Sequence, residues 1–348
     1  MSHAGRLFKK ITEMSAVTLA FVLSAVILQA DSGICQFSLI AAAAEADSTG
    51  AAESDSAESG TITSGDWEYK LLEDKTVSVT GYTGSEAELV IPEEIDGYEV
   101  TKIAYKTFFC NTALTAVTIP DSVESIDIYA FGECTNLASV ALGGAVERID
   151  DFAFYGCTSL AAVAIPDSVR EIGYWAFSGC TGLTSVTLGS AVESIESGAF
   201  DGCTGLTMIT IPDSVESIGR WAFSYCTGLS SVTLGSAVES IGRGAFEQCT
   251  ALTSITIPDS VKSLGEFAFY GCTGLSSVTI GSAVESIGEG TFGLCAGLTS
   301  VTIPDSVASI GDYAFEDCTG LTDIQIPSSV TDISSTAFEG CSEELAIY

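Results

Sequence analysis

SIGRWAFSYCTGLSSVTLGS, residues 217–236, decides how this chain folds. It holds one cysteine, Cys226, after an Ala-Phe pair, and ends in a stretch where Val232 and Leu234 alternate with Ser231 and Thr233. The segment recurs. Phe108, Phe131, Phe154, Phe177, Phe200, Phe223, Phe246, Phe269, Phe292, Phe315 and Phe338 stand 23 residues apart without exception. Cysteine keeps the same step at Cys134, Cys157, Cys180, Cys203, Cys226, Cys249, Cys272, Cys295, Cys318 and Cys341. Asn111 fills that place in the first unit, where Cys110 is out of phase. A fixed period means that no unit buries its apolar face alone and that stacked units share one core.

The alternation over 229–234 has the period of a strand with one buried face. Stacked at about 4.8 Å per strand, eleven units predict one parallel sheet roughly 50 Å long. Ile218, Ala222 and Phe223 form the opposite wall of the core, and Gly219 permits the turn between them. Leu-x-x-Val-x-Leu at a period of 23 is the signature of a leucine-rich-repeat solenoid. The segment IPDSVESIGRWAFSYCTGL, 211–229, resembles the BspA-like leucine-rich repeats in its Ile-Pro, Ile-Gly, Ala-Phe and Cys-x-x-Leu landmarks. The resemblance covers 106–348 and extends to 67–108, which looks like the entry segment of such proteins. The period and the resemblance together predict an α/β-type repeat solenoid of about 11 repeats, with a parallel sheet on its concave face and a β-rich N-terminal cap over 66–105. The resemblance further implies a secreted or surface-attached protein that adheres to host matrix proteins, to cells or to other microbes.

A second rhythm overlies the first. Ile-Pro-Asp units at Pro120, Pro166, Pro212, Pro258 and Pro304 alternate with Gly-Ser or Gly-Gly units at Gly143, Gly189, Gly235 and Gly281, until Pro327 breaks the pattern. Growth by duplication of a two-repeat cassette accounts for this, and neighbouring repeats should turn differently after their strands.

The repeated cysteine is expected at a corner, its side chain inside the turn against backbone amides. Equivalent Cβ atoms about one strand spacing apart lie beyond the ~3.8 Å that a disulfide prefers. A ladder does not converge on a point, so it offers no metal site. The ten cysteines and Asn111 therefore read as structural groups.

Composition removes several functions. The chain carries 46 acidic and 12 basic residues, a net charge of −34. Nucleic acid and anionic membrane surfaces should repel it. Its one histidine is His3, so the usual general base and the commonest zinc ligand are missing from the rest of the chain. Arg6, Lys9 and Lys10 precede an apolar run over 16–30, and Ala44-Glu45-Ala46 offers a small-x-small cleavage site. Residues 1–46 thus read as a secretory signal peptide, with an uncleaved anchor as the alternative. Cys35 follows Ile34, too large for a lipoprotein site. Residues 47–65 are acidic and poor in large apolar groups and read as a disordered linker; the array proper spans 106–348.

Two rows could bind a partner. Outward strand positions give Ser185, Thr187, Met208, Thr210, Ser231, Thr233, Ser254, Thr256, Ser277 and Thr279, a neutral strip that also suits simple β-propensity. Tyr129, Phe152, Trp175, Trp221, Phe267 and Tyr313 form a lateral row, with Gly198, Gly244 and Gly290 between the later ones. That spacing favours packing of each ring beside a glycine; exposed, Trp175 and Trp221 would be contact residues. A third row, Glu124, Glu147, Glu193, Glu216, Glu239 and Glu285, is interrupted by Arg170 and Lys262 and lacks calcium-loop motifs. No catalytic, cofactor-binding or metal-binding residue is assigned. The readings are a secreted or cell-surface protein that binds a protein or surface glycan, a passive coat or spacer, and a glycosidase working on carboxylates alone, which would need two converging acids.

Overall fold

The computed structural model describes residues 60–348. The leader and most of the acidic linker lie outside them. The end of the linker corrects its disordered reading: Ile62–Ser64 form β1, paired antiparallel with β2, Trp67–Leu71. The loop between them is Gly65-Asp66, with Gly65 at φ +58°, the left-handed geometry that suits a two-residue hairpin. The Gly-Asp dipeptide before a β-prone run was the turn signal.

β3, Val77–Tyr82, continues this hairpin antiparallel to β2. Glu88–Val90 and Glu94–Ile95 follow as β4 and β5, and Tyr98–Ile103 as β6. β6 lies parallel to β3, with Val77 opposite Val100. From there the 23-residue step rules. Val77, Val100, Val123, Val146, Val169, Val192, Val215, Val238, Val261, Val284 and Val307 are all buried, and Val330 packs against the same core. The valine column begins before the first phenylalanine, so the solenoid has about 12 turns and its periodic core reaches into the segment read as a cap.

Among the described residues no helix forms. The solenoid is all-β, which corrects the α/β-type expectation. The physical reason is visible in the arm between Ile241 and Ser254. Gly244 and Gln248 there take φ +61° and +60°, and a left-handed residue stops a helix where it stands.

The strands make two ladders where the sequence reading gave one. Three-residue strands such as Ser231–Thr233 carry the outward Ser/Thr positions, and two-residue strands such as Ser240–Ile241 form a second wall. The second wall is the longer: it continues without a break from β1 to Ser263–Leu264. The Ser/Thr ladder is instead divided into sheets of five, two, three and two strands, so the single 50 Å sheet expected there is not formed. Between the walls the phenylalanines stack ring on ring from Phe108 to Phe338, with centroids 4.9 to 5.6 Å apart and planes within 18° of parallel.

The two-repeat cassette has a physical basis. In the first four Pro-Asp turns the aspartate Oδ1 accepts the backbone N–H one turn later: Gly144 to Asp121, Ser190 to Asp167, Ser236 to Asp213 and Ser282 to Asp259, each at 2.7 Å. The isoleucine before proline donates to the next strand, Ile211 to the Thr233 carbonyl at 2.8 Å. The glycine of the second turn is obligatory, because a Cβ on Gly235 would lie 2.3 Å from the Pro212 carbonyl oxygen. Asp167, Asp213 and Asp259 are held below the usual carboxylate range by the serine amide and then its hydroxyl.

Gly235→Ala should therefore cost more than about 1 kcal/mol. Gly144→Ala, whose Cβ would meet nothing closer than 3.6 Å, should be close to neutral. Denaturant midpoints of the two variants check this.

Candidate functional site

Every repeat must present its side chains on the same few vertical rows, because the register is fixed at 23 residues. The Ser/Thr strip is where the sequence placed it. Ser185, Thr187, Met208, Thr210, Ser231, Thr233, Ser254, Thr256, Ser277 and Thr279 are all exposed, and the residue between each pair faces inward. Met208, 63% exposed, is the one large apolar group among them. The strip is interrupted between Thr187 and Met208 and between Thr233 and Ser254, where the sheets divide.

The lateral row is built on backbone strain. Tyr129, Phe152, Trp175, Trp221, Phe267 and Tyr313 all take left-handed φ between 54° and 58°, and Gly198, Gly244 and Gly290 continue the column at 57° to 68°. For a bulky residue this geometry costs roughly 1–2 kcal/mol. Packing offsets it: a Cβ on Gly198 would lie 2.4 Å from the Trp175 ring, one on Gly244 2.6 Å from Trp221, and one on Gly290 2.4 Å from Phe267. Each ring thus lies over the glycine of the next turn. Where no glycine follows, Tyr129 and Phe152 stack at 4.7 Å. Trp175 and Trp221 remain only half-buried. Tyr174, 44% exposed, and Tyr225, 47% exposed, enlarge this surface; the sequence reading missed both because neither recurs at a fixed step.

The cysteine ladder is internal. Cys134 through Cys318 are buried and Cys341 is half-buried, all as free thiols. Each Sγ donates to the carbonyl of the phenylalanine 26 residues earlier; Cys226 reaches the Phe200 oxygen at 3.2 Å, and the series runs from Cys134 on Phe108 to Cys341 on Phe315. The expected amide contact is present as well: the backbone of the preceding corner residue, Asn111 for Cys134 and Cys203 for Cys226, donates to the sulfur. The carbonyl is the partner the expectation lacked, since a thiol also brings a hydrogen. Asn111 accepts from the Ala113 and Leu114 amides. Burial pushes Cys134 and Cys272 up to about 12 and raises Cys203, Cys226, Cys249 and Cys295 as well, so the reactive thiolate is scarce at these positions.

The glutamate row is partly neutralised by its own cations: Arg170 pairs with Glu193 at 2.9 Å and Lys262 with Glu239 at 2.8 Å. These exposed pairs contribute little stability. Among the described residues no group of three or more His, Cys, Asp or Glu side chains could hold a metal ion. Burial raises several carboxyls, Asp201 furthest: almost fully buried, it is pushed up to about 8, against the Ser224 hydroxyl, which favours its charged form, while Asp150 is pushed up to about 6. A raised carboxyl suits a general acid, but Asp201 is shut inside the wall. A hollow of about 420 Å³ lies elsewhere, over Pro92, Pro120 and Gly143. Its Asp121 is already engaged with the Gly144 amide.

These features define a class, a β-solenoid of repeated 23-residue turns that displays rows of recurring groups. The family model described as BspA type leucine rich repeat region matches residues 101–230 and 222–344. The chain belongs to that family. A solved leucine-rich cell surface protein from Faecalibacterium prausnitzii A2-165 is 32% identical, over 83% of this chain and 94% of that one, with a TM-score of 0.47. A leucine-rich repeat protein from Bacteroides ovatus is 26% identical, over 82% and 90%, at 0.48. The pneumococcal vaccine antigen PcpA, 22% identical over 83% and 81%, shares the fold at 0.58. No curated protein matches.

In the native state at neutral pH the ten ladder thiols should resist alkylation, and all ten should be labelled once the chain is denatured, as read by peptide mass spectrometry. Cys226→Ala should cost about 1–2 kcal/mol through the lost packing and hydrogen bond. Spontaneous pairing of these thiols into disulfides would contradict the assignment.

Proposed function

We propose that this chain is a non-enzymatic, extracellular or cell-surface binding protein that acts as an adhesin on a protein or glycan ligand. Membership of the BspA-type family and the similarity to a cell surface protein support that setting. The observation that carries the binding role is the repetition of exposed groups on a rigid stack: Ser231 and Thr233 recur as Ser254 and Thr256 and again as Ser277 and Thr279. Many weak, equivalent contacts then add along one scaffold. A catalytic site needs unlike groups converging on one point, whereas a solenoid row offers like groups in a line. Among the described residues no helix is long and apolar enough to cross a membrane.

Retention of the full chain on immobilised matrix proteins and on whole microbial cells tests this. Aspartate at Ser231, Thr233, Ser254 and Thr256 should abolish retention if the hydroxyl strip is the contact. Alanine at Trp175 and Trp221 should do so if the lateral row is, with the thermal midpoint of each variant checked. Retention on no surface would favour a passive coat or spacer.

A further inference from the structure

The lateral aromatic row already holds cations supplied by the chain itself. Lys106 Nζ lies 4.8 Å from the Tyr105 ring centre, 5.2 Å from Phe109 and 5.3 Å from Tyr129. Three cassettes beyond Tyr129, the Arg243 guanidinium lies 4.8 Å from Phe267 while pairing with Glu266. These are two seated examples of one chemistry, a cation on a ring of this column. Rings attract cations through their quadrupole, indole most strongly.

Trp175 occupies the same column between the two examples, and its surroundings add charge of the matching sign. Tyr174 stands beside it in sequence and 44% exposed. The groups acting on the Tyr174 phenol are Glu196 first, then burial, then Asp151 and Glu171, and together they push it above its ordinary value. Asp151 also accepts the Tyr174 amide at 2.8 Å, which fixes the loop. Arg148 pairs with Asp150 at 2.5 Å, and its charge also reaches Glu171 and Asp151, which leaves Glu196 as the carboxylate acting most strongly on Tyr174. The station thus combines two aromatic rings with three carboxylates on a chain of net charge −34.

We infer that the Tyr174–Trp175 station docks arginine or lysine side chains of an extended, basic segment of a partner protein, with Asp151, Glu171 and Glu196 as counter-charges. This rests on the binding role proposed above and names the partner's chemistry. The spacing supports an extended segment. Trp221 follows Trp175 by two turns, about 10 Å along the stack at one strand spacing per turn. Residues three apart in a polyproline II strand are separated by roughly 9 Å, so a cation at every third residue can meet successive tryptophans. Tyr225, beside Trp221 and facing Glu247, extends the second station.

The probe is a fluorescent (Arg-Pro-Pro)5 peptide, titrated with the full chain at physiological salt and read by anisotropy. Its citrulline counterpart, equal in shape but uncharged, should bind at least about tenfold more weakly. Trp175→Leu should lose at least about tenfold, whereas Trp175→Phe, which keeps a ring as at Phe152 and Phe267, should stay within about threefold. Glu171→Gln with Glu196→Gln should weaken binding clearly more than the charge-matched pair Glu343→Gln with Glu344→Gln at the far end of the array. Thermal midpoints confirm that each variant folds. Equal binding by Trp175→Leu and wild type, equal losses from the two glutamine pairs, or equal binding of the citrulline peptide would each overturn the inference. If the peptide fails while matrix proteins or cells still retain the chain, only this inference falls. If nothing retains it, the binding role falls as well.

Discussion

Ring-on-ring stacking of one phenylalanine per turn is the constraint on which the rest of this structure depends. A 23-residue turn has too little interior to bury its own apolar side chains. Its Phe, Val, Cys and Leu are covered only by the same residues one turn before and after, as the buried columns from Val77 and Phe108 onward show. Any insertion of one residue would slide a whole turn out of register and turn its inward groups outward. The exact step of the phenylalanines follows from that. So does the thiol ladder, in which every Sγ reaches into the preceding turn, as Cys226 does to Phe200.

Stacking alone would allow every turn to be identical, yet this chain alternates. The alternation lies where neighbouring turns touch outside the core. Asp213 accepts from Ser236, and the Pro212 carbonyl leaves room only for glycine at 235. On the lateral wall the same rhythm sets Trp175 over Gly198 and Trp221 over Gly244. From Trp175 onward one alternation spaces the large rings two turns apart, whereas Tyr129, Phe152 and Trp175 stand on successive turns and Tyr129 stacks on Phe152. Over that later part of the array the structural cassette and the candidate binding row are two consequences of one arrangement.

Much of this was legible from spacing. The phenylalanine and cysteine columns, the outward Ser/Thr pairs and the ring-over-glycine packing all follow from residue type at a fixed step. Other features were hidden for physical reasons. The Ser-Ile ladder, exemplified by Ser240 and Ile241, is two residues per turn, too short for an alternation to register. The division of the Ser/Thr ladder falls after Thr187 and Thr233 but not after Thr279, at the equivalent junction, so no repeated residue marks it. Helix was expected because neither Gly244 nor Gln248 announces a left-handed backbone in sequence. Tyr174, Tyr225 and the buried Asp201 are single departures from the repeat. Periodic reasoning averages such departures away, although these are the residues that make one stretch of the array different from another.

The claim that turns are interlocked in pairs is tested most directly by comparing two deletions for denaturant midpoint and cooperativity of unfolding. Removing residues 166–211 takes out a whole cassette and rejoins Ile165 to Pro212, so that both alternations continue. Removing 189–211 takes out half as much chain, but sets one Pro-Asp turn against another and Trp175 against Trp221. If the turns are interlocked in pairs, the smaller deletion is the more damaging, with a lower midpoint and a broader transition than the larger one. A midpoint that simply falls with the number of residues removed would contradict it.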